Sequence, residues 1–65
     1  MAMNSIELVK TLQGLRNINN DKYIINALMA MYFQSKNLYE NTVIEIYKKY
    51  INTNILDFTS YNIQF

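Results

Sequence analysis

Sixty-five residues, 51 % apolar and 17 % charged, are enough for one domain at most, and residues 1–65 read as a single small helical domain. With no cysteine and no histidine, the chain is expected to have no disulfide, no structural zinc site and no cofactor held by such ligands. A net charge of +1, six bases against five acids, gives no electrostatic reason to seek nucleic acid or an anionic membrane.

The first helix is expected from about Ser5 to Arg16. Asn4 can cap it, with Glu7 three residues on in capping-box spacing. Leu8, Val9, Leu12 and Leu15 then form one apolar stripe. Gly14 weakens the end of this helix by about 1 kcal/mol relative to alanine. Asn17-Ile18-Asn19-Asn20 reads as the loop that follows, because asparagine tolerates left-handed backbone.

A second helix is expected from Lys22 to about Ser35, with Asp21 as its N-cap. Its middle, residues 23–33, is apolar on every side apart from Asn26, and a helix greasy all round must be covered all round. A continuous apolar run also suits a buried strand, but its length and its Ala and Met content favour helix. Two of the four methionines, Met29 and Met31, lie on this helix (Met1 and Met3 precede the first). Methionine fills cores and also adapts to irregular partner surfaces. The run spans 11 residues, short of the roughly 20 that cross a bilayer, so no membrane is expected as a partner.

Ser35-Lys36-Asn37 reads as a turn, and Asn37 with Glu40 repeats the capping-box spacing. The third helix is expected to run to about Ile51. Its stripe is Tyr39, Val43, Ile46, Tyr47, Tyr50 and Ile51, opposite a wet face of Glu40, Asn41, Glu45, Lys48, Lys49 and Asn52. Glu45 and Lys49 stand at the favourable i, i+4 order, and Asn52-Thr53-Asn54 marks the exit. In the tail, Leu56 and Phe58 alternate on one phase and Tyr61, Ile63 and Phe65 on the other. This fits a C-terminal strand with a slip near Thr59-Ser60, and equally a short fourth helix capped by Asn54. The fold class is therefore all-α in the main: three helices, the second in the centre and each antiparallel to its neighbour, with a short C-terminal strand or fourth helix. The expected core is Leu8, Leu12, Leu15, Ile24, Leu28, Met31, Val43, Ile46, Tyr47 and Tyr50.

Catalysis is poorly supplied. The usual general base and thiol nucleophile are missing. Glu40 and Glu45, five apart, do not pair on a helix, and Glu7, Asp21 and Glu40 sit where caps and first turns want acids. A single glycine allows no phosphate cradle, and Ser5, Ser35 and Ser60 have no base in sight. The expectation is a chain that is not an enzyme. Asparagine, isoleucine, lysine and tyrosine fill 30 positions. All four have A/T-rich codons, so the many asparagines read as mutational bias before any aggregation-prone role.

The hairpin of the second and third helices fits two known outlines. The second and third helices, joined by a short turn, have the outline of a helix-turn-helix, in which Lys36, Asn41, Lys48 and Lys49 would face DNA. Against it stand the bulky Phe33 four residues before Asn37 and the acids Glu40 and Glu45, which phosphates repel. Tyr47-Lys48-Lys49-Tyr50 comes nearest to a base-stacking surface, but helical spacing sets the tyrosines on the apolar stripe and the lysines off it. Residues 25–38, Ile25-Asn26-Ala27-Leu28 through Ser35-Lys36-Asn37-Leu38, resemble the first helix and turn of the LisH dimerisation motif. That resemblance implies a hairpin pairing with a second copy into a four-helix dimer. It departs at Asn37, where the motif has glycine, and at Thr42, where it has a small apolar residue.

A chain this small buries only about 60 % of the surface its unfolded form exposes, and it has no disulfide or zinc staple. Association is the expected remedy. The leading reading is a protein-interaction module, a homodimer or a small binder of a larger protein, in a cytoplasmic setting. Its contact residues are Tyr23, Ala27, Met29, Tyr32 and Phe33, with Phe58 and Phe65 if the tail joins. A nucleic-acid partner is the alternative, and a piece of a longer chain is a third reading.

Overall fold

The computed structural model describes residues 4–15 and 22–65. Three helices follow in chain order: α1 (Ser5–Gly14), α2 (Lys22–Gln34) and α3 (Glu40–Thr53). The all-α expectation holds. Arg16, the 17–20 loop, the Asp21 cap, Met1 and Met3 lie outside the described residues.

Helix α1 starts where its cap predicts, with the Glu7 N–H donating to Asn4 Oδ1 at 2.8 Å. It stops at Gly14, the weakest helix former in the segment. Leu15 therefore falls at the C-cap and is 36 % exposed, so it leaves the expected core. Helix α2 ends at Gln34, and the turn behind it is tied by Ser35. The Ser35 hydroxyl donates to the Tyr32 carbonyl at 3.2 Å and accepts the Leu38 N–H at 3.1 Å.

Helix α3 is capped differently from its expectation. Its N-cap is Tyr39 in extended backbone, with no side-chain cap bond. The start is held by packing: Leu38 and Val43 occupy the positions before the cap and four into the helix, the spacing of a hydrophobic staple, and both are buried in one cluster. The helix closes at Asn54, whose backbone is left-handed (φ 60°) and whose N–H donates to the Tyr50 carbonyl at 2.7 Å. Asparagine accepts that conformation more readily than other residues with a side chain.

The buried core is Leu8 and Leu12 from α1, Leu28 from α2, Leu38, and Val43, Ile46 and Tyr47 from α3. Ile24, Met31 and Tyr50 pack partly buried against it. Each helix touches the other two, so none lies in the centre. Helix α2 buries only Leu28 fully, whereas α3 buries three residues. The expectation of a central α2 fails because three helices packed as a triangle cover one flank of each, and an all-round apolar helix must then show the remainder.

No strand occurs among the described residues. The tail runs as irregular chain through one 3-10 turn at Thr59–Tyr61, with Leu56, Phe58, Tyr61 and Ile63 half-buried against the core. A strand needs a neighbour to pair with, and a helical bundle offers none. Asp57 organises the turn: its Oδ1 accepts the Thr59 N–H at 3.1 Å and the Thr59 hydroxyl at 3.0 Å, and its Oδ2 accepts the Ser60 hydroxyl at 2.7 Å. Lys49 reaches the same carboxylate at 3.2 Å and ties the tail to α3.

These donors, Ser60 first, then Lys49 and Thr59, hold the Asp57 carboxyl well below its ordinary value of 3.8. A depressed folded pKa contributes stability that is complete above the ordinary value and is lost as pH falls below it. Acidification from about pH 4 downward should therefore loosen the Thr59–Tyr61 turn. The Thr59 and Ser60 amide shifts, followed by NMR, should titrate with a midpoint below 3.8 and lose that step in Asp57→Asn. A midpoint at or above the ordinary value would refute the cap.

Candidate protein-interaction surface

Helices α1 and α2 meet along an open groove of about 370 Å³, lined by Ser5, Ile6, Val9, Lys10 and Gln13 from α1 and by Met29 and Phe33 from α2. Ile6 and Phe33 stand on its rim, each 67 % exposed. Val9 and Met29 are half-buried in its floor. Lys10 sets one cation beside an otherwise uncharged lining. The Tyr32 and Phe33 rings meet edge to face at 5.2 Å, which braces the exposed ring with one that packs on the core. Burial, and next the Glu40 carboxylate nearby, push the Tyr32 hydroxyl pKa up, so this ring stays uncharged at neutral pH.

The outer face of α2 continues from the groove. Tyr23, Asn26, Ala30 and Phe33 are all exposed and succeed one another at three, four and three residues. That spacing is the seam along which one helix lies against another. Tyr23 is 85 % exposed, while Asn26 and Ala30 between the two aromatic rings are small enough to admit a close neighbour.

The seven residues named for a partner are thus divided. Met29 and Phe33 come together in the groove, Tyr32 supports Phe33, and Tyr23 lies on the exposed seam. Ala27 is half-buried. Phe58 packs against the core, and Phe65, 57 % exposed, ends the tail. The α1 wall of Ile6, Val9 and Gln13 adds to these residues. Its spacing of three and four residues makes a second stripe beside Leu8 and Leu12, and it is readable once Val9 is assigned to that stripe and not to the one of Leu8, Leu12 and Leu15.

Of the residues named for nucleic acid, Asn41, Lys48 and Lys49 are exposed on α3 and Lys36 lies in the α2–α3 turn. Glu45 is exposed on the same helix between Asn41 and Lys48, and Lys49 is engaged by Asp57. The four do not form an uninterrupted cationic face.

Among the described residues, no group of three or more acidic, histidine or cysteine side chains could hold a metal ion, and no helix is long and apolar enough to cross a membrane. No family model matches the chain, so the LisH resemblance stands on the hairpin outline alone, and neither a curated protein nor a solved structure matches it.

Proposed function

We propose that this chain is a non-enzymatic protein-interaction module that receives an apolar helix face, from a second copy or from a larger protein, in the α1–α2 groove and along the outer seam of α2. What carries the reading is the pair Ile6 and Phe33, large apolar side chains two-thirds exposed over a floor of Val9 and Met29. An exposed contiguous apolar patch with a polar rim marks an interaction site more often than an idle surface. A helix laying its apolar side into a groove is a recurrent mode of recognition. The cysteine-free composition fits a reducing, cytoplasmic setting.

The test is the solution mass by light scattering during size-exclusion chromatography, across a range of concentrations. A mass that rises toward twice 7.7 kDa makes a second copy the partner, and groove variants then locate the contact. A constant monomer mass removes self-association and leaves a different chain as the partner.

A further inference from the structure

The C-terminal segment is held at the α2–α3 turn in a way that reads only its backbone. The Asn37 side chain grips it twice: Nδ2 donates to the Asn62 carbonyl at 2.9 Å, and Oδ1 accepts the Gln64 N–H at 2.7 Å. The Lys36 N–H donates to the Gln64 carbonyl at 2.8 Å. Both backbone groups of residue 64 and the carbonyl of residue 62 are thus satisfied, as they would be against a neighbouring strand. None of the three bonds involves a tail side chain.

We propose that the α2–α3 turn is a binding site for peptide backbone, with Asn37 as its clamp, and that the chain's own residues 62–64 fill it as an exchangeable internal ligand. Its chemistry defines what fits: a carbonyl, then an apolar residue in the place of Ile63, then a residue offering both N–H and C=O. Asn62 enters the clamp in left-handed backbone (φ 50°), so a fitting segment carries asparagine or glycine there and an apolar residue next, while the three bonds themselves read only backbone. The internal ligand can leave without opening the bundle. Among the described residues every fully buried one lies between Leu8 and Tyr47, and the tail adds half-buried and exposed side chains over that core. Asp57, held by Lys49, anchors the tail to α3 upstream of the clamped residues, so release of residues 62–64 leaves that anchor in place.

Residue-resolved amide hydrogen exchange of the full chain tests this. The Gln64 amide should be protected, and Asn37→Ala, which deletes two of the three bonds, should speed its exchange roughly tenfold while Val43 and Ile46 amides keep their rates. Asn37→Asp keeps the acceptor for the Gln64 N–H and should retain most of that protection. Exchange of Gln64 at the free-peptide rate in the unaltered chain overturns the clamp. So does an equal acceleration of the α3 amides in Asn37→Ala, which would make the asparagine a general strut. For exchange of the ligand, Gln64→Pro removes the clamped N–H and should speed the Lys36 amide. A synthetic peptide with the sequence of residues 58–65, at millimolar concentration to match the tethered tail, should restore its protection. The same peptide should do nothing for the Asn37→Ala, Gln64→Pro double variant. If the peptide fails on Gln64→Pro, or protects both variants equally, the turn is not a peptide site.

Discussion

Tyr47→Ala is expected to leave the chain without a cooperative thermal transition. Tyr47 is the largest fully buried side chain among the described residues, at 0 % exposure, and its ring stacks on Tyr50 with centroids 6.2 Å apart. Truncating a buried aromatic residue to alanine costs about 3–5 kcal/mol, because the lost transfer energy is joined by the cavity left behind. A core in a chain below about 70 residues rarely supplies more than about 3–5 kcal/mol in all, so one substitution removes about the whole of it. Tyr47→Phe keeps the ring in place and should still melt cooperatively. Circular dichroism against temperature, at one fixed protein concentration so that association contributes equally, separates the two. A Tyr47→Ala melt near that of the unaltered chain would mean that the core is not centred on α3.

Tyr47 also shows why much of this core was legible. It belongs to a stripe with Val43, Ile46 and Tyr50 whose spacing follows the helical repeat, and Leu8, Leu12 and Leu28 obey the same rule on α1 and α2. Periodicity reports what faces inward wherever a helix continues long enough to have faces. Leu38 escaped it because the residue stands before the helix, where no period runs. It is buried by the staple it forms with Val43, a pairing that becomes visible only once Tyr39 is known to be the cap. Leu15 erred in the other direction: its spacing was right, but the helix had already ended at Gly14.

Asn37 is the more instructive residue. Its sequence neighbourhood, an asparagine with Glu40 three residues on, has the form of a capping box, and a local reading could return nothing else. The side chain instead bonds residues 25 and 27 positions away. A helix start has two ways to be held, by a side-chain acceptor or by packing before the cap. Leu38 supplied the second and freed Asn37 for the tail. The tail stayed open between strand and helix for the same reason. Its alternation of apolar residues suited a strand and a short helix alike, but Leu56, Phe58, Tyr61 and Ile63 are half-buried because Asp57 and Asn37 pin the chain at two points, not because a ladder or a helical face orients it. The surface between α1 and α2 was half legible: α2 announced that it could not be covered on every side, while the α1 wall depended on where Val9 points.

Phe33→Asp should weaken association at least 30-fold while leaving the monomer folded. At 67 % exposure the ring contributes little to the free chain, and a surface substitution of this kind changes stability by about 0.5 kcal/mol or less. In a complex the same position would be covered. The variant then loses an aromatic anchor, of the sort that costs about 2 kcal/mol or more when truncated, and buries a carboxylate without a partner as well. Met29→Asp is the poorer probe, although Met29 lies in the same groove. It is half-buried against the core, so a charge there would unfold the chain and dissociate it together. Ile6→Asp attacks the opposite rim from α1 and should act like Phe33→Asp, since the proposed contact spans both walls. Tyr23→Asp, further along the seam, should have a smaller effect if the groove carries most of the binding. Loss of association in Phe33→Asp and Ile6→Asp with an unchanged thermal melt places the contact in the groove. If both variants associate like the unaltered chain, the apolar rim is only a surface that three helices were too few to cover.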